Sequence, residues 1–193
     1  MSDMPTREQA MALLREFNQS DRAIKHALAV EAAMRYRARK AGQNEELWGI
    51  VGLIHDLDNE QFPDQHCRKT VEILRQRGWP EEIIRAAESH GWGICSQAEP
   101  LTQMEKTLFA IDELTGLVMA TALVRPSKSV LDMTAKSVKK KWREKHFAAG
   151  VDRGVIEKGA AMLGVDLADL ITDTILGMRE VAGELGLVGT PET

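Results

Sequence analysis

Cysteine is scarce in this chain. Cys67 and Cys95 are the only two among 193 residues, and they form neither a CxxC pair nor a zinc-ribbon spacing. They are expected to be free thiols in a reducing compartment rather than a disulfide. Positive charge is not in excess either. The 25 Lys and Arg residues stand against 29 Asp and Glu, a net charge of −4, so the chain as a whole does not suit nucleic acid or an anionic membrane as partner. The longest apolar runs fall far short of a bilayer span, and no membrane association is expected. The first residues include Asp3 and Glu8 and no apolar core of a leader, so no signal peptide is expected. Strand-like alternation, internal repeats and low-complexity linkers are also missing. What remains is a cytoplasmic, all-α, compact chain, with residues 1–193 read as one domain. At 44% hydrophobic and 28% charged residues its composition is ordinary for a globular protein, and its length suits one well-buried core.

Helix signals fill almost the whole sequence. Thr6-Arg7-Glu8-Gln9 and Thr102-Gln103-Met104-Glu105 are capping boxes, in which a Thr oxygen accepts from the third helical amide and a Gln or Glu reaches back. Ser20 or Asp21 caps a second helix that stops near Gly42, and Asn44 starts a third with Leu47, Ile50, Val51 and Ile54 at helical spacing. His66 is read as opening a fourth helix, and Pro80 as the first position of a fifth that ends at Ser89-His90-Gly91. A long helix is expected over residues 103–124, stopped by Pro126. Others follow over about 130–147, 155–163 and 167–185, the last capped by Asp166.

The chemistry lies in the histidines and a few aspartates. The 5 His and 11 Asp predict only about 0.3 His-Asp pairs by chance, so the pair His55-Asp56 says little alone. However, four of the five histidines fall between residues 26 and 90, each on or beside a predicted helix, and Asp112 lies inside another. Imidazole nitrogen and carboxylate oxygen together suit divalent Mn, Fe, Co, Ni or Zn. Asp112 shares its helix face with Leu108, Ile111, Thr115 and Met119, and a carboxylate there needs a cation or strong hydrogen bonds. An Arg or Lys partner or a metal ion satisfies that need equally well. His26 stands among Ala23, Ile24, Ala27 and Leu28, where a hydrogen-bonded core histidine is the bland alternative.

The order His26, His55-Asp56, His66, His90, Asp112 resembles the HD-domain superfamily of metal-dependent phosphohydrolases, in the branch with extra histidines. Gly52-Leu53-Ile54-His55-Asp56-Leu57 is similar to its central signature, and Ala110-Ile111-Asp112-Glu113-Leu114 to its closing aspartate helix. The likeness covers about residues 20–125 and implies a multi-helix bundle, with the helices of about 126–187 packed on it. It implies one or two divalent ions: His26, His55, Asp56 and Asp112 around the first, His66 and His90 completing a second, Asp56 bridging. A metal-activated water attacking a small phosphorylated metabolite or nucleotide is the expected chemistry. Asp58 and Asp64, in the loop after the pair, are candidate general acids or bases, or solvated turn residues. No Gly-Tyr-Pro triplet follows the pair, which argues against a cyclic-dinucleotide phosphodiesterase.

Lys136, Lys139, Lys140, Lys141, Arg143 and Lys145 cluster with Val138, Trp142 and Phe147. They read as the solvated face of an amphipathic helix or, with Lys128 and Arg125, as a wall that binds substrate phosphate; RNA binding ranks third. Two other functions stay open: a di-iron oxygenase, since a few members of the superfamily use the six-ligand set for oxygen chemistry, and a regulatory module that binds metal or ligand without turnover.

Overall fold

Capping side chains decide where the helices of this computed structural model begin; it describes residues 4–189. Thr6 and Thr102 form the two capping boxes that open α1 (Arg7–Phe17) and α6 (Gln103–Val124). Ser20 caps α2 (Asp21–Lys40), Asn44 caps α3 (Glu45–Ile54), and Asp152 and Asp166 cap α8 (Arg153–Leu163) and α9 (Leu167–Glu180). Between them lie α4 (Arg68–Gln76), α5 (Glu81–Ser89), α7 (Ala135–Trp142) and α10 (Ala182–Leu185). Only isolated bridges, and no strands, occur among the described residues, so the fold is all-α.

Two long helices organise the packing. α2 contacts α3, α6, α9 and α10, and α6 contacts α2, α5, α7, α8 and α9. α2 is rich in alanine on its buried faces (Ala27, Ala29, Ala32, Ala33 and Ala38), so neighbouring backbones come close. A Cβ on Gly177 of α9 would lie 2.7 Å from the Ala32 carbonyl oxygen, and one on Gly159 of α8 would lie 2.5 Å from the Ala110 methyl of α6. Both sites therefore require glycine for space rather than for backbone freedom. Two buried acids pin the same framework. Asp173 of α9 receives Arg37 Nη1 at 2.6 Å and Lys40 Nζ at 2.8 Å, both from α2. Glu31 of α2 receives Arg7 Nε of α1 at 2.6 Å and Arg35 Nε at 3.0 Å.

α6 is 22 residues long with a mean hydropathy of 1.6 over its best window, long and apolar enough to cross a membrane. Counting unbroken apolar runs passes over this helix. Most of its apolar surface is covered by its five helical neighbours: Leu108, Ile111, Leu114, Leu117 and Val118 are fully buried, and Leu123 and Val124 at its end are exposed.

Three helix expectations change. The helix expected over 130–147 shrinks to α7, because the flanking backbone is bonded elsewhere: Val130 N–H donates to Leu187 O at 2.9 Å, and Arg179 donates to Val130 O and Met133 O. The helix expected over 167–185 breaks at Val181, whose φ of −118° is not helical. His66 does not open α4. It ends a short 3-10 turn, Pro63–Gln65, and Cys67 is the N-cap.

Candidate metal centre

Helix ends and helix interiors each contribute to one cluster of imidazoles and carboxylates. His26 comes from the second turn of α2, His55 is the C-cap of α3 with Asp56 next, His90 is the C-cap of α5, and Asp112 lies inside α6. His26 Nε2 lies 3.0 Å from Asp112 Oδ1 and 3.6 Å from Asp56 Oδ2. His55 Nε2 lies 3.3 Å from Asp112 Oδ1. Asp56 Oδ1 faces His66 Nε2 at 3.5 Å, His90 Nε2 at 3.4 Å and His55 Nε2 at 3.8 Å. The fold thus brings together all six residues singled out from the sequence, with Asp56 touching both halves of the group.

The far side of three of the four rings is tied down. A chain that turns out of a helix leaves carbonyls without intrahelical donors, and here a histidine at the exit supplies one. His55 Nδ1 donates to Gly52 O at 2.7 Å, and His90 Nδ1 donates to Ala87 O. His66 Nδ1 donates to Asp58 Oδ1 at 2.8 Å. With the proton on Nδ1, each Nε2 presents a lone pair to the centre, the arrangement found in metal-ligating histidines. Asn59 Nδ2 holds Asp56 Oδ2 at 2.8 Å.

Burial and charge act against each other here. Burial disfavours the Asp56 carboxylate, but the adjacent His55 and His90 imidazoles outweigh it and hold the group far below the usual range. Asp112 behaves likewise beside His55 and His26. Burial works against a charged His90, yet the Asp56 and Asp112 carboxylates push it up to about 9, and His26 is raised for the same reason. Even so, two buried atoms at the core of the group, His55 Nε2 and Asp56 Oδ1, have no hydrogen-bond partner. Buried polar atoms that stay unpaired are costly, and a nitrogen lone pair aimed at a carboxylate oxygen fits a shared cation between them. Donor atoms of His26, His55 and Asp112 lie within 4.8 Å of one another, as do those of His55, Asp56 and His90. These residues can hold divalent metal.

The cluster opens into a cavity of about 780 Å³, within the range of small-molecule sites. His26, Asp56, His66 and Asp112 form its base, and Gly116, Met119, Ala120 and Leu123 continue from Asp112 along α6 as an apolar wall. Arg22, one helical turn before His26, is the only Lys or Arg in the lining among the described residues. Glu113 also faces the cavity; burial, with the Asp112 charge, raises its pKa.

The other sequence candidates fall elsewhere. Asp58 is fully buried, and its two oxygens accept from His66 Nδ1 and from Thr70 N–H at 2.8 Å, so it positions His66 and has no access to act as general acid or base. Asp64 sits exposed in the 3-10 turn, and Lys128 and Lys139 are exposed; none of the three lines the cavity. Arg22 and Glu113 were missed because only the packing of α2 against α6 shows which way they face. The free-thiol expectation also fails: Cys67 and Cys95 are disulfide-bonded, their Cα atoms 6.2 Å apart, because the turn after His90 folds back over the start of α4.

A family model, HD domain, matches residues 23–117. No match is found among curated proteins or among solved structures. The matched segment begins three residues before His26 and ends five after Asp112, so it encloses the six clustered residues, with α3, α4 and α5 whole and most of α2 and α6. Residues 23–117 form an HD domain.

Proposed function

We propose that this protein is a metal-dependent phosphohydrolase acting on a small phosphorylated metabolite or nucleotide. The observation that carries this reading is the orphaned pair His55 Nε2 and Asp56 Oδ1, buried at the focus of four imidazoles and two carboxylates, at the base of an open cavity. His26, His55, Asp56 and Asp112 would hold one ion, and His66 and His90, with Asp56, would hold a second. When bound, such ions would lower the pKa of a coordinated water to about 7 and polarise phosphoryl oxygen.

The chain's own residues supply the rest. Arg22 binds the substrate anion at the cavity rim, on the same face of α2 as His26, with a guanidinium fork that suits phosphate. The apolar wall of α6 receives the organic part of the substrate. Glu113 faces the cavity beside Asp112, where burial and the Asp112 charge favour its protonated form, and is placed to pass a proton to the departing alkoxide. Asn59 keeps Asp56 turned towards the histidines.

The test is metal analysis of untagged protein, followed by a phosphoester screen with the ion found. Phosphate release that needs the metal and disappears in Asp56→Ala supports the reading. A protein carrying two irons that consumes oxygen with a substrate and releases no phosphate refutes it in favour of an oxygenase.

A further inference from the structure

The disulfide runs from beside the candidate metal centre to the surface of the fold. Cys67 directly follows His66, and Cys95 lies in the turn that begins immediately after His90. A Cβ at Gly91, the residue after His90, would collide with both sulfur atoms, so the sulfur pair packs against the Gly91 backbone. One donor atom each from His66, Cys67 and His90 lie within 4.8 Å of one another. Cys67 is 1% exposed and holds φ +65° with ψ −51°, a conformation that side-chain-bearing residues rarely adopt. Cys95, in contrast, is exposed. The two sulfurs therefore face different surroundings, one the cluster and the other solvent.

We propose that Cys67 is a redox-gated metal ligand: when the disulfide is reduced, its thiolate joins His66 and His90 on the second ion, and when oxidised the bond to Cys95 withholds it. This inference rests on the reading that His66 and His90 hold metal. A low-molecular-weight thiolate attacks the accessible Cys95 sulfur, the S–S bond breaks, and Cys67 leaves as thiolate. A second thiol then attacks the mixed disulfide, releasing its oxidised dimer and the Cys95 thiol. Two thiols outside the protein are oxidised to one disulfide and the protein disulfide is reduced to two thiols, so electrons balance. Sulfur also changes what the site prefers. Nitrogen and oxygen donors accept any of Mn, Fe, Co, Ni or Zn, and an added thiolate, a softer ligand, favours Zn within that series.

The experiment is an anaerobic cobalt(II) titration of the full chain, oxidised and after reduction with a phosphine, read by absorption. The reduced protein is expected to show thiolate-to-cobalt charge transfer in the near ultraviolet and to bind its second ion at least tenfold tighter. The oxidised protein and Cys67→Ser are expected to lack the band. Cys95→Ser is expected to show it without reductant, which keeps the test valid should Cys67→Ser fold poorly. Ligand-field absorption without the charge-transfer band, in both the reduced protein and Cys95→Ser, overturns this proposal and leaves the histidine–carboxylate centre standing. No cobalt binding in any form overturns both.

Discussion

The two halves of the cluster are built from different materials. On one side, His26 and Asp112 project from the interiors of α2 and α6, the most heavily packed helices, and His55 from the fully buried end of α3. On the other, His66 and His90 stand at the edges of two short helices, and what positions them is local: Asp58 behind His66, the Ala87 carbonyl behind His90, and the Cys67–Cys95 bond joining their segments. Helix packing alone fixes a ligand when the helix is long and buried. At the ends of nine-residue helices, individual hydrogen bonds and a covalent link take over. The first half is therefore expected to be rigid and the second adjustable.

The most severe break is at the residue shared by both halves. Asp56→Ala is expected to lower affinity for both ions by more than about 100-fold, beyond the usual effect of changing a residue behind a ligand. Isothermal titration with metal checks this, and full retention of either ion would show that the halves do not share Asp56.

Protonation offers a second test, in metal-free protein. His90, at about 9 against 6.5 ordinarily, and His26, also raised, stabilise the fold fully below about pH 6.5 and lose that contribution as pH climbs through the raised values. Asp56 and Asp112 are held low, so their contribution is present above about pH 4 and is lost in stronger acid. Chelated protein is expected to be most stable between these limits and to lose roughly 3 kcal/mol towards pH 9 from His90 alone. Denaturant unfolding at pH 6 and pH 9 measures this. Adding metal is expected to reverse the slope, because the imidazoles must shed protons to bind it.

Asp58→Ala separates the halves. Without its partner His66 is free to turn, and affinity for the second ion is expected to fall about 10- to 100-fold while the first is kept. Stoichiometry then drops from two ions to one at limiting metal. Equal weakening of both would mean that the halves are mechanically one.

The smallest effect is expected at Arg22. Losing a charge-assisted bond to a substrate anion costs about 1.5–3 kcal/mol, so Arg22→Ala is expected to raise KM roughly tenfold or more with metal content unchanged. Unchanged kinetics would remove Arg22 from substrate binding.

The same contrast explains how much was legible in the sequence. Thr6, Asn44, Thr102 and Asp166 mark their helices because capping is local chemistry, and the periodic apolar residues of α3 and α6 follow one helix face. The six clustered residues stand out by type and order. Asp58 was misjudged because its partners, His66 and Thr70, lie 8 and 12 residues on, and no local rule directs its side chain inward. The disulfide joins positions 28 residues apart, and the break at Val181 sits where its neighbours keep helical spacing. Each of these is a tertiary choice imposed on a permissive local sequence.

The close approach of Gly159 to Ala110 carries a consequence for how this chain can change over time. Gly159 lies outside the matched segment and Ala110 inside it, two residues before Asp112. A larger residue at either position would push α8 and α6 apart and carry the Asp112 carboxylate away from His26. The two positions are thus bound to drift as a pair, and aligned sequences of this lineage should record matched substitutions there: a signature, written outside the HD segment, of where its last aspartate must stand.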